Sequence, residues 1–348
     1  MITKTQISII VLFFATHLTF AQSKYDKMIG KAEASYSTGD YAKANKFLAK
    51  FNKKATKKLG KQNEYTPKYH TLLAKYKLAA GMVLDFESSV KNALESSIAL
   101  NQEESKNHGL LLLDIAELYL QNGAYRQANE YIDKSKAILD KGANFDKLTE
   151  ASWSLYKAEA LAGQGFYNES LSILREYDAY YAGRALKQES YVDDNGNLKS
   201  RRLSPEEVAE RFDEYAHYAT LLAKVYGEKG NLLSADSAFV GAGSWIDRNI
   251  GTSSLAYVKN QLYHARMLAE NGNTNNLPRD LEYSRTLNTL KGRYKASHYI
   301  GVELYEEYLK QLLGTNNSAR YLNTKLEFEK MITSNFEKGC IYAVRLKA

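Results

Sequence analysis

The stretch Leu110–Leu139, LLLLDIAELYLQNGAYRQANEYIDKSKAIL, decides the fold. Ile115, Ala116, Tyr119 and Leu120 recur at helical spacing and form one apolar stripe. Asn122-Gly123 stops that stripe, because glycine takes the left-handed geometry of a helix-ending turn at low cost. Tyr125, Ala128, Ile132 and Ile138 then open a second stripe. The segment reads as helix, glycine turn, helix.

The same pattern recurs along the chain. Gly39, Gly81, Gly123 and Gly165 stand 42 residues apart, and so do Gly230, Gly272 and Gly314. The step from Gly165 to Gly230 is 65, so an insertion of 23 residues interrupts the register. A fixed period of this order marks a chain that stacks one supersecondary unit. Seven residues before six of these glycines stand Ala32, Ala74, Ala116, Ala158, Ala223 and Ala265. Five residues after the seven glycines stand Ala44, Phe86, Ala128, Ser170, Ala235, Leu277 and Ala319. Mostly small residues at both places let two helices pack closely. Only three prolines occur in 348 residues, which suits a nearly all-helical chain.

The phrases STGDYAKAN (Ser37–Asn45), QNGAYRQAN (Gln121–Asn129), GQGFYNES (Gly163–Ser170) and EKGNLLSAD (Glu228–Asp236) resemble the turn and second-helix start of the tetratricopeptide repeat. The usual period of that family is 34. A 42-residue spacing is similar to its kinesin-light-chain subtype. The resemblance implies an all-α, right-handed α-solenoid of about seven helical hairpins with one short insertion. It places repeats one to four in residues 22–182 and repeats five to seven in 206–338. The seventh departs from the pattern, with Glu307 where alanine is expected. In the family the first helices line a concave groove. The residue after each alanine then faces a partner: Glu33, Lys75, Glu117, Glu159, Lys224, Arg266 and, more weakly, Tyr308. Neighbouring repeats can pair these charges, or leave them for an extended segment of another protein. The lysine and asparagine pattern with which chaperone-binding members hold an acidic C-terminus is missing.

Charge is unevenly placed. Residues 24–77 hold 14 lysines against Asp26, Glu33, Asp40 and Glu64. Lys43, Lys46, Lys50, Lys53, Lys54, Lys57, Lys58 and Lys61 fall in an arc of about 140° on one helix. Ala44, Phe47, Leu48, Phe51, Ala55 and Leu59 take the neighbouring arc. Such a face keeps an end repeat soluble, or docks an anionic polysaccharide or lipid surface. It has no arginine fork for phosphates, which argues against nucleic acid.

Residues 1–21 read as a signal peptide: Lys4, an apolar run from Ile7 to Phe20, and a small residue, Ala21, at the cut. No cysteine follows the cut, so the expectation is an exported, soluble protein of the periplasm or exterior and not a lipoprotein. Cys340 is the only cysteine, expected as a buried, inert thiol. The insertion, residues 183–205, reads as a hairpin around Asn195-Gly196, followed by a Ser204-Pro205-Glu206-Glu207 helix start with a capping box. Asp193, Asp194, Asn195 and Asn197 do not match a calcium loop, whose glycine and glutamate belong at other places. The tail, residues 339–348, alternates like an edge strand.

No zinc, phosphate-loop or nucleophile-elbow motif occurs, and His70, His108, His217, His264 and His298 are scattered. No metal, cofactor or catalytic residue is therefore expected. The function expected is a non-catalytic protein-interaction scaffold or adaptor in the cell envelope. The alternatives are a sensory module of a signalling or protease assembly, and a glycan or anionic-lipid binder acting through the basic first repeat.

Overall fold

The computed structural model describes residues 24–141, 147–192, 196–271, 279–295, 298–313, 317–336 and 340–345. The expected signal peptide, Asp193, Asp194 and Asn195 of the insertion, and Gly272, Leu277 and Gly314 of the repeats lie outside them. The described residues divide into two compact units, those within Met1–Glu103 and Phe336–Ala348, and those within Glu104–Asn335.

The first unit holds α1 (residues 24–37), α2 (Tyr41–Leu59), α3 (Thr66–Ala79), α4 (Val83–Asn101) and a C-terminal turn of helix, α16 (Ile341–Arg345). The second holds α5 (Lys106–Gln121), α6 (Tyr125–Lys141), α7 (Lys147–Gly163), α8 (Tyr167–Glu176), α9 (Asp178–Arg184), the strands β1 (Gln188–Val192) and β2 (Leu198–Arg202), then α10 (Pro205–Glu228), α11 (Leu232–Asn249), α12 (Leu255–Glu270), α13 (Arg279–Arg293), α14 (Tyr299–Leu313) and α15 (Ser318–Asn335). The architecture is all-α, built from tetratricopeptide-like hairpins α1/α2, α3/α4, α5/α6, α7/α8, α10/α11, α12/α13 and α14/α15.

The glycine hinges explain the phase. At Gly123 φ is +71°, its N–H donates to the Leu120 carbonyl at 3.0 Å, and the Ala124 N–H reaches back to Tyr119 at 2.9 Å. These paired bonds are a Schellman termination, which satisfies carbonyls the ending helix leaves open. The same pair recurs at Gly39, Gly81, Gly165 and Gly230. At these five hinges one helix therefore stops and an antiparallel one starts at the same place in the repeat.

Packing follows from the small residues. Ala74, Ala116, Ala158 and Ala223 are fully buried, as are Phe86, Ala128, Ser170 and Ala235 five residues past the hinges. Ser170 donates its hydroxyl to the Ala158 carbonyl at 2.8 Å, so even the polar member of the set pairs inside the hairpin. The seventh hairpin differs: Ala319 is exposed and α15 buries Thr324, Phe328, Met331 and Ile332. In the first unit Tyr25, Ile29, Phe51, Ala55 and Tyr65 form a core, with Tyr25 edge-on to Phe51.

Strands β1 and β2 pair antiparallel, Gln188 opposite Arg202 and Val192 opposite Leu198. Two strands alone are marginal in water, and this pair is tied to the start of α10. Glu189 takes Arg211 at 2.6 Å and Arg201 at 2.8 Å, and Arg201 also reaches Glu207 at 2.7 Å. Ser204 and Glu207 cap α10 reciprocally, the Glu207 N–H on the Ser204 hydroxyl at 3.2 Å and the Ser204 N–H on Glu207 at 2.8 Å.

The tail corrects one expectation. Ile341–Arg345 is a turn of helix, not an edge strand. It docks on the turn between α3 and α4: the Ile341 N–H donates to the Gly81 carbonyl at 2.9 Å and the Tyr342 hydroxyl to the Ala79 carbonyl at 3.3 Å. Cys340 is buried at its start.

Candidate partner groove

In the second unit α5 packs on α7, α7 on α10, α10 on α12 and α12 on α14. First helices thus touch first helices, and this crowded side is the inner wall of the stack. Glu117, Glu159, Lys224 and Arg266 all project from it, on α5, α7, α10 and α12.

Most ladder residues meet a neighbouring repeat. Glu159 takes the His217 ring nitrogen at 3.2 Å, from α7 to α10. Arg266 donates to Glu303 at 2.8 Å and lies 3.4 Å from Glu307, from α12 to α14. Lys224 lies 3.7 Å from Glu228 on its own helix, and its ammonium stands over the Tyr263 ring at 5.3 Å and the Tyr125 ring at 5.9 Å. Lys259 sits over Tyr299 at 5.9 Å. Glu117 accepts a hydrogen bond from Gln121 on its own helix.

These groups are crowded yet reachable, with 20 % of the Glu159 side chain and 17 % of Lys224 still open to solvent. Burial pushes the Glu159 carboxyl up, but the hydrogen bond and charge of His217, with Lys224 and Lys259, more than offset it and pull it down to about 2. Burial works against the Lys224 charge, and Tyr125, Tyr263, Glu159 and Glu228 hold it above the usual lysine range. Tyr299 raises Lys259 further still, against burial. Burial, with Glu117, Asp114 and Glu159 around it, lifts the Tyr156 hydroxyl well above its ordinary value. The wall therefore carries fixed charges of both signs between tyrosine rings.

The structure brings Glu159, Lys224 and Arg266 into one wall, with Glu117 beside Tyr156. Glu33 and Lys75 belong to the first unit, where Glu33 pairs with Lys68 at 3.5 Å and Lys75 stands 5.2 Å over the Tyr36 ring. Tyr308 is not a lining residue: it is buried and stacked on Tyr283. Tyr156, His217, Lys259 and Tyr263 were missed. Their signal was present, since Tyr156 and Tyr263 stand three residues before Glu159 and Arg266, and His217 and Lys259 seven before Lys224 and Arg266, on the same helix faces.

On α2, Lys43, Lys46, Lys50, Lys53, Lys54, Lys57 and Lys58 are all exposed. The helix ends at Leu59 with its cap at Gly60, so Lys61, although exposed, lies beyond it in the following loop. Among the described residues no group of three His, Cys, Asp or Glu is placed to hold a metal ion. No described helix is long and apolar enough to cross a membrane.

No protein-family model matches the chain, and no curated protein matches it. Among solved structures, kinesin light chain TPR-like repeats from Podosopora anserina are similar at 16 % identity and a TM-score of 0.44, covering 65 % of this chain and 96 % of that one. A point variant of the same repeats gives 15 % identity and 0.45, with the same coverage. Rap protein complexed with Competence and Sporulation Factor is similar at 9 % identity and 0.44, covering 93 % of this chain and 97 % of that one.

Proposed function

We propose that the chain is a non-catalytic protein-interaction scaffold of the cell envelope that holds an extended segment of a partner protein along the inner wall of its second unit. The observation that carries this reading is the wall from Glu159 to Arg266. Fixed charges of both signs, spaced by tyrosine rings and partly open, offer a peptide hydrogen-bond partners at low entropic cost. Ion pairs on the rim of such a wall select register and partner more than they add affinity. Tyrosines supply rigid contact area with a polar tip.

The test is site-specific photocrosslinking in cells. A photoreactive residue at Ser152, partly open to solvent on the Glu159 face of α7 and seven residues before it, is expected to capture one partner. A photoreactive residue at Leu233, exposed on α11, is not. Glu159→Lys lowers stability, so the variant is compared below its unfolding midpoint, where its helical circular dichroism matches the wild type, and there it is expected to remove the Ser152 adduct. Capture from Leu233 alone, or capture that ignores Glu159→Lys, would overturn the reading. Export is tested by sequencing the N-terminus of the native protein, which is expected to begin at Gln22.

A further inference from the structure

We propose that the outward ridge of α2 is a second binding site, for a linear polysaccharide bearing carboxylates or sulfates. Lys43, Lys46, Lys50, Lys53, Lys54, Lys57 and Lys58 are exposed along it, and the helix contains no aspartate, glutamate or arginine. Among the described residues none of these seven ammonium groups joins an ion pair. From Lys43 to Lys58 the ridge runs about 22 Å.

A solvated outer face does not need this arrangement. Lysines three and four apart, such as Lys46 with Lys50 and Lys50 with Lys54, repel along the helix, whereas alternating glutamate and lysine would be equally soluble and would attract. The second unit shows that alternative in Lys136 with Asp140 on α6. Two acids of the same stretch are engaged elsewhere: Asp40 caps the helix through the Lys43 N–H and Glu33 is taken by Lys68.

The shape selects among anions. Seven lysines spread over about 140° present a convex ridge. A flat bilayer meets only the middle rows of such a ridge, while a flexible chain can follow all of them. The apolar side of α2 is committed to the core through Leu48, Phe51 and Ala55, and its one exposed large apolar side chain, Leu59, falls on that same side. On the lysine side only Phe47, between Lys54 and Lys58, is apolar, and it is half-buried. One half-buried ring is a weak anchor for insertion into lipid. Nucleic acid would draw on arginine forks and exposed aromatic rings for stacking, and the ridge has no arginine. Lysine heads, which act as hydrated point charges, suit spaced single carboxylates or sulfates.

The experiment uses the chain as processed, with polygalacturonate and heparin as probes, titrated at low and at high salt. Both are expected to bind, with affinity falling steeply as salt rises. The triple variant Lys50→Gln, Lys53→Gln, Lys57→Gln is expected to weaken binding at least about tenfold, since three fewer counterions are released. A control triple, Lys134→Gln, Lys229→Gln, Lys330→Gln, removes the same charge from other exposed lysines and is expected to stay within about twofold. No binding at low salt would overturn the proposal, as would an equal loss in both triples. Tighter binding to phosphatidylserine vesicles or to single-stranded polyuridylate would also overturn it, giving the ridge to that ligand. None of these outcomes depends on the inner wall of the second unit.

Discussion

The Tyr125 ring covers the α-carbon of Gly163 so closely that a β-carbon there would overlap ring atoms. The contact joins the start of α6 to the end of α7, and the same ring lies 5.9 Å from the Lys224 ammonium. A glycine without unusual backbone geometry thus sets the position of one side of the charged wall. Gly163→Ala must displace Tyr125, and overpacking of this kind costs about 2 kcal/mol. Gly165→Ala, two residues on, meets open space but sits at φ +87°, and is expected to cost about 1 to 2 kcal/mol from backbone strain alone. Urea denaturation in a Tyr125→Ala background separates the two, since the Gly163→Ala cost should vanish there and the Gly165→Ala cost should not, and a Gly163→Ala cost that persists would contradict the packing role of Gly163.

Gly81 and Gly123 occupy the same repeat position with φ of +72° and +71°, yet their surroundings differ. A β-carbon at Gly123 meets nothing, while one at Gly81 meets the Tyr342 ring at 3.0 Å and Ile341 at 3.2 Å. Gly123→Ala is expected to cost about 1 to 2 kcal/mol from the left-handed backbone. Gly81→Ala is expected to cost about 1 kcal/mol more. In a Tyr342→Ala background that excess should disappear, and a double-mutant cycle measures it. An excess that persists would show that the Tyr342 ring is not the group that crowds the hinge.

The hairpins were legible because one constraint recurs. Each hinge needs a residue that tolerates positive φ, and each helix contact needs a small side chain, so Gly123 and Ala116 announce themselves at fixed intervals. The wall was legible only in part. Glu159 and Lys224 followed from the resemblance, but His217 and Lys259 come from the preceding turns of α10 and α12, where the repeat imposes no residue type. The turn of helix at Ile341 was misread because alternation over a few residues does not distinguish a strand from a short helix docked on one side. Gly163 was hidden for a related reason: a glycine kept for a neighbour's ring looks like one kept for a turn.

His298 is buried between Tyr294 and Tyr299, and its Nδ1 accepts the Ile300 N–H at 3.3 Å. Burial, with Lys259 adding to it, pulls its pKa down to about 4. In the unfolded chain a histidine takes its proton near 6.5. Between those values the unfolded state binds the proton and the folded state does not, so stability is full above about pH 6.5 and falls as pH drops toward 4. The loss amounts to about 3 kcal/mol. His298→Gln keeps an acceptor for Ile300 and is expected to flatten this slope. Urea midpoints followed across the window give the answer, and an unchanged slope in the variant would show that another group carries it.

Glu159 acts in a separate and more acid window, with the opposite chemistry and the same sign. Its folded carboxyl is held near 2, below the unfolded value of about 4.3. The stabilisation it provides is present above that unfolded value and is lost as pH falls through the folded one. With a fifth of the side chain open to water, the contribution is discounted to about 2 kcal/mol. Glu159→Gln keeps the shape but leaves Lys224 and Lys259 with less opposing charge in a crowded wall. It is expected to destabilise the chain by about 1 to 3 kcal/mol at neutral pH. The wild type and the variant should then converge as pH falls toward 2, because protonation does to the native carboxyl what the substitution does permanently. Chemical denaturation at neutral pH and near pH 2 distinguishes the cases. A variant as stable as the wild type at neutral pH would mean that the attraction from His217, Lys224 and Lys259 merely balances the cost of burying the carboxylate.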